Sequence, residues 1–219
     1  VSSRFLLGHV PVDEDWEALS NDRRDYMKNH ASRYRLDIGD IDSMPTPPPD
    51  QLDSNALCVR ALACLGAVAE PPHKSDSQIL TCLGAMFHED LHGWDNSLFL
   101  NWYLSGPPRD FTVAGVGRVT IRPGDAMLFD PSRPHALLKE GQTRFSKVNW
   151  GDPIADRSMF LSWDLALTPE LEALFGIERG TVEALQAKGC LDIEQMQVMK
   201  TSGGTRPPVT RLTIQHHTT

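Results

Sequence analysis

The chain has 219 residues and a formal net charge of −8, from 21 Lys plus Arg against 29 Asp plus Glu. That length suits one domain with a core large enough to need no disulfide staples. The acidic balance opposes nucleic-acid binding by the surface as a whole, and the longest apolar stretch, residues 61–69, is far short of the roughly 20 residues that cross a bilayer.

Residues 12–34 are charged, with apolar positions at Trp16, Leu19, Tyr26 and Met27 whose spacing suits an amphipathic helix or two, and Asp13 is placed to cap the first. Residues 43–50 hold Pro45, Pro47, Pro48 and Pro49, a stiff connector incompatible with a helix or an inner strand. Helical composition returns over 55–69 and Pro71-Pro72 ends it, giving a helix expected to pack on the outside of a sheet. From residue 78 short apolar runs alternate with Gly, Pro and Asp, the pattern of an all-β sandwich or barrel. Strands are expected near 78–88, 97–104, 110–113, 117–122, 125–129, 134–139 and 143–150. Thr168, Pro169 and Gly176 then frame a helix with a capping hydroxyl, a first-turn proline and a glycine stop. A second helix is expected over 181–188, then a tail with an edge strand over 209–214 and a frayed end at His216-His217. Three segments follow: a helical extension with a Pro-rich connector over 1–77, a β core over 78–162, and C-terminal helices and tail over 163–219.

Cys58, Cys64, Cys82 and Cys190 show no C-x-x-C spacing and suit free thiols in a reducing compartment, so a cytoplasmic protein is expected. No signal peptide is read at the start as given, Val1 onward.

The chemistry concentrates in two segments. His88-Glu89-Asp90 and Pro134-His135 place their histidines 47 residues apart, and Arg144-Phe145-Ser146 begins nine residues after His135. Two imidazoles and one carboxylate are the ligand set of a facial triad, which holds a non-heme Fe(II) on one side and leaves other positions open. On a strand, His88 and Asp90 share a face and Glu89 points away. Residues 136–139 and 143–148 flank Glu140-Gly141 as a hairpin. A symmetric turn sets His135 opposite Ser146 and Leu137 opposite Arg144, all on one face, whereas a one-residue bulge flips Arg144 and Ser146 to the other.

The arrangement resembles the Fe(II)- and 2-oxoglutarate-dependent dioxygenases, whose motif is His-X-Asp, a distant His and, in a subset, Arg-X-Ser. The strand, Pro123-Gly124-Asp125 turn and strand leading to His135 look like those of the family's jelly rolls. The resemblance covers roughly residues 78–150. It implies a mainly β fold with flanking helices, a cupin-like double-stranded β-helix. It also implies Fe(II) held by His88, Asp90 and His135, with 2-oxoglutarate as co-substrate. Arg144 would pair with the distal carboxylate and Ser146 would add a hydrogen bond. A small-molecule or peptide substrate would be hydroxylated or demethylated, with release of succinate and carbon dioxide.

Asn101 and Tyr103 alternate on one face of their strand and either line the pocket or lie outside it, in which case Leu98, Leu100, Trp102 and Leu104 point inward. Trp94, beside the ligand loop, is a candidate substrate contact, and His92 with Asp95 offers a slipped ligand set. The rival signal is His88-Glu89-x-x-His92, which on a helix over 84–93 would hold zinc with Glu89 as general base. Gly93 and Asp95-Asn96 oppose that helix. A cupin-like metal protein that uses no oxo-acid and a non-catalytic jelly-roll binding module complete the alternatives. The sequence leaves substrate and oligomeric state undefined.

Overall fold

The computed structural model describes residues 5–36, 41–48, 51–67, 77–90, 97–114, 116–146 and 150–175. Among the described residues, ten strands form two antiparallel sheets. The strands are β1 (Leu6–His9), β2 (Asp42–Pro45), β3 (Gln78–Cys82), β4 (Ala85–His88), β5 (Ser97–Ser105), β6 (Arg109–Val113), β7 (Gly117–Ile121), β8 (Asp125–Phe129), β9 (His135–Lys139) and β10 (Ser158–Ala166). The larger sheet has the order β1-β8-β5-β10-β3-β2 and the smaller β4-β9-β6-β7. From β3 to β6, and again from β7 to β10, consecutive strands alternate between the sheets, and the fold is a double-stranded β-helix, mainly β with flanking helices.

Among the described residues, four helices flank it: α1 (Glu14–Asn29), α2 (Ala31–Leu36), α3 (Ser54–Cys64) and α4 (Pro169–Phe175). The Asp13 carboxylate accepts from the Trp16 backbone N–H at 3.2 Å, Asp53 caps α3 in the same way, and the Thr168 hydroxyl accepts from Leu171 N–H at 3.3 Å. The apolar side of α1 reaches β5, where the Trp16 ring meets Trp102 edge-on with centroids 5.6 Å apart, and the Trp102 indole N–H donates to Val10 O at 2.9 Å. On β1, a Cβ at Gly8 would meet the Leu65 side chain at 3.0 Å and Cys64 at 3.2 Å, so glycine lets α3 approach the strand.

The alternation of β5 is thereby fixed. Trp102 faces the helices, so Phe99, Asn101 and Tyr103 face the other sheet. Phe99 packs edge-on against Phe129, Asn101 accepts a hydrogen bond from the Ser162 hydroxyl, and Tyr103 stacks on Phe160 with centroids 4.7 Å apart. On the smaller sheet Phe111 completes this inner layer against Phe129.

Several elements differ from the sequence expectation. The run 78–88 is two strands broken at Leu83-Gly84; a Cβ on Gly84 would lie 2.7 Å from Leu137 O and 2.8 Å from the Trp150 ring. β1 and β2, from the segment expected to be helical, join the edges of the larger sheet, with Pro45 as the last residue of an outermost strand, the place in a sheet where proline is tolerated. β10 was not anticipated and runs across the boundary placed at 162. It pairs on both sides, with β5 and β3, and its residues from Ser158 to Leu165 are all buried, so it lacks the alternation that reveals half-exposed strands. The second C-terminal helix and the tail lie outside the described residues. Among the described residues no helix is long and apolar enough to cross a membrane.

Candidate metal centre

β4 and β9 pair with a register shift between Ala85 and His88, so that His88 lies opposite His135. Bulges of this kind re-aim side chains at sheet rims. Asp90 follows on the exit from β4, and its backbone N–H donates to Pro131 O at 3.0 Å, tying it to the loop that delivers His135. That loop is itself fixed: the Asp130 carboxylate accepts from Ser132 N–H at 3.0 Å and from its hydroxyl at 2.6 Å, and Ala114 N–H donates to Pro134 O at 2.8 Å. It opens from β8, which is reached from β7 through the Pro123-Gly124 turn. Gly124 there holds φ 94° and Asp125 N–H donates to Arg122 O at 3.0 Å, carrying the chain from the smaller sheet to the larger.

The ligand atoms of His88, Asp90 and His135 all lie within 4.8 Å of one another. The separation of 3.8 Å between His135 Nε2 and Asp90 Oδ2 is too long for a hydrogen bond and leaves space for an ion between them. Glu89, between His88 and Asp90, is buried and stands outside the cluster.

The tautomers support the same use. His88 Nδ1 lies 2.7 Å from Met86 O, and His135 Nδ1 lies 2.8 Å from Arg133 O. A carbonyl only accepts, so each Nδ1 carries the proton and each Nε2 lone pair is left available, the backing found behind metal-bound histidines. Burial holds the His135 imidazole well below the usual histidine range, reinforced by His88 and opposed by the bond to Arg133 O. The ring is therefore neutral, as a ligand must be. Burial pushes the Asp90 carboxyl up, partly offset by His88, so its anion gains from a cation beside it. The donor set of two neutral imidazoles and one carboxylate fits a divalent transition metal.

The zinc alternative required a helix over 84–93, but residues 85–88 are strand, which removes the one-turn spacing of the two histidines. His92, Trp94 and Asp95 lie outside the described residues. Asn101 and Tyr103 are on the inward face. Their row continues through Phe99 to Phe129, whose ring lies 4.8 Å from that of His135.

Arg144 and Ser146 do not join this face on a hairpin. The turn forms as expected, with Gln142 N–H donating to Lys139 O at 3.0 Å and Gly141 at φ 81°. β9, however, is already paired with β4 on one side and β6 on the other, so no ladder position remains for a strand after the turn. Residues 143–146 are irregular, Arg144 is exposed and Ser146 half-buried. Phe145 packs instead on Trp150, with centroids 5.9 Å apart.

Arg109 was missed by the sequence reading. It is 2% exposed and shares with Phe111 and Val113 the face of β6 that looks between the sheets. The signal was present in the period-two alternation Arg109, Phe111, Val113, but the strand was expected to begin one residue later.

No family model matches the chain, and no curated protein matches it in sequence. Solved structures similar to it include AviO1 from Streptomyces viridochromogenes Tue57, with 12% identity, 76% of this chain and 90% of that one covered, and a TM-score of 0.43. A Pseudomonas putida prolyl-4-hydroxylase has 10% identity, coverage of 75% and 94%, and a TM-score of 0.42. HygX from Streptomyces hygroscopicus, solved with nickel and 2-oxoglutarate bound, has 14% identity, coverage of 76% and 84%, and a TM-score of 0.42. The chemistry assigned to this chain rests on its own residues.

Proposed function

We propose that the protein is a non-heme Fe(II)- and 2-oxoglutarate-dependent oxygenase that hydroxylates or demethylates a small-molecule or peptide substrate, releasing succinate and carbon dioxide. The observation that carries this reading is the convergence of two Nε2 lone pairs and the Asp90 carboxylate within 4.8 Å of one another. Bound there, Fe(II) would supply the redox chemistry that couples oxidative decarboxylation of the oxo-acid to oxidation of the substrate. Three protein ligands on one side leave coordination positions for the co-substrate and oxygen.

The protein's own contribution is positioning. The Met86 and Arg133 carbonyls hold the imidazole rings in one tautomer and one orientation, and Pro131 O fixes the backbone of Asp90. Phe111 and Phe129 form an apolar wall beside His135, which excludes water from that side of the site. Asn101, Ser162 and Tyr103 place polar groups deeper between the sheets, where an oxo-acid extending inward from the metal would meet them.

The test is anaerobic loading with Fe(II), then 2-oxoglutarate and oxygen, with succinate release measured without added substrate and again across a metabolite and peptide library. Iron-dependent succinate formation supports the reading. Stoichiometric iron binding with no 2-oxoglutarate binding would instead support a cupin-like metal protein.

A further inference from the structure

Two of the three candidate ligands are held by one short segment, residues 130–134, which joins β8 to β9. Pro131 O accepts from the Asp90 backbone N–H at 3.0 Å, and Arg133 O faces His135 Nδ1 at 2.8 Å. His88 is held separately, by Met86 O at 2.7 Å on its own strand. Any change in the direction of the Pro131 and Arg133 carbonyls therefore moves Asp90 and His135 relative to His88. The ligand atoms lie within 4.8 Å of one another, so small rotations matter.

Asp130 sets those directions. Its backbone O accepts from Arg133 N–H at 3.1 Å, closing a turn in which Pro131 holds the second position with its φ preset. Its carboxylate reaches over the same turn: Oδ1 accepts from Ser132 N–H at 3.0 Å and from the Ser132 hydroxyl at 2.6 Å. The peptide bond is planar, so Ser132 N–H and Pro131 O are opposite edges of one rigid unit. Fixing the N–H fixes the carbonyl to which Asp90 is tied. The next unit carries Arg133 N–H, and the main-chain oxygen of Asp130 holds that one. Pro134 O accepts from Ala114 N–H at 2.8 Å, which secures the far end of the segment. Asp130 is 9% exposed, and its bond from the Ser132 hydroxyl is of the charge-assisted kind.

We propose that Asp130 is a positioning residue of the metal centre, aligning the Asp90 carboxylate and the His135 ring through the Pro131 and Arg133 carbonyls while standing outside the ligand set itself. The inference rests on the reading of the triad as an iron centre. Metal affinity then depends on a side chain that has no place in the coordination sphere.

The test uses the full chain and two readings, Fe(II) affinity by anaerobic calorimetry and NMR of the metal-free protein. Asp130→Ala should weaken Fe(II) binding by about tenfold or more. In the metal-free variant the Asp90 amide should exchange with solvent about tenfold faster, as loss of bonds to a charged group implies, and His135 should show both ring tautomers. His88, anchored on β4, should keep the parent's single tautomer. Asp130→Asn retains an oxygen acceptor, so its affinity should stay within about threefold of the parent's. Trp16→Ala, destabilised on the outer face of the larger sheet, should keep the parent's affinity, which separates positioning from general loss of stability. Parent-like Fe(II) affinity in Asp130→Ala, an equal loss in Asp130→Asn, or a tautomer change at His88 as large as that at His135 overturns the assignment. Should Asp130→Ala fail to fold, Ser132→Ala, which removes only the hydroxyl bond, decides: weaker iron binding with faster Asp90 exchange supports the assignment, and parent values in both overturn it. A parent that binds no iron sinks the reading of the centre, whereas a parent-like Asp90 amide and His135 ring in Asp130→Ala sink this inference alone.

Discussion

His88 and His135 face one another across the β4–β9 pair with ring centroids 4.2 Å apart, each anchored through Nδ1 to a carbonyl two residues earlier in its own chain segment. The two imidazoles are thus held as neighbours before any ion arrives, and the cost of ordering them is met by the fold.

Removing one member should therefore abolish the centre without unfolding the sheet. His135→Ala is expected to weaken Fe(II) binding by more than about tenfold, and 2-oxoglutarate binding with it. Metal analysis after anaerobic loading and desalting measures this. Iron content equal to the parent's would dissociate His135 from the site.

Metal should also stabilise the fold, because its ligands come from β9 and the exit of β4, and converge only in the native state. At a free metal concentration about 100 times Kd the gain is about 2.7 kcal/mol. Thermal unfolding with Fe(II) under anoxia, then with a chelator, should show a rise in Tm that the chelator reverses. An unchanged Tm across saturating metal would contradict the triad.

Asp110 provides a pH-dependent contribution away from the metal. Burial raises its carboxyl, but Thr120, Arg118 and the Gly141 N–H, all bonded to it, outweigh this and hold it below the ordinary carboxylate value. A carboxylate depressed in the folded state stabilises above its unfolded pKa of about 3.9, and that stabilisation fades as pH falls through the lower folded value. Asp110→Asn should cost about 2 kcal/mol near neutrality, and the difference from the parent should shrink below about pH 4. Urea titrations at pH 7 and pH 3 measure both, and a pH-independent gap would remove the charge from the explanation.

The Trp16–Trp102 contact lies on the outer face of the larger sheet, away from Asn101 and Tyr103. Trp16→Ala should lower stability by about 3 kcal/mol through the cavity it leaves, with Fe(II) affinity retained at a temperature where the variant is folded. Loss of iron binding in a folded Trp16→Ala would show that the helix layer shapes the site.

Much of the fold was legible in the chain, because the signals involved are local. Asp13 and Thr168 cap helices where their side chains reach the first backbone N–H groups, and the Pro123-Gly124 turn needs a positive φ that glycine supplies. The spacing of His88, Asp90 and His135 marked three candidate ligands, which the fold brings together. β10 was hidden because a strand buried on both faces has no alternation to read.

The contrast between Arg144 and Arg109 shows the limit of such local reading. The Glu140-Gly141 turn was correctly marked, yet whether a strand follows it depends on whether an edge of β9 is free, and β4 and β6 fill both. Residue order selects turns, caps and candidate ligands, since those depend on neighbours a few positions away. Only the pairing of distant strands decided that Arg144 stands exposed while Arg109 is enclosed, because burial of a charge depends on which segments close around it.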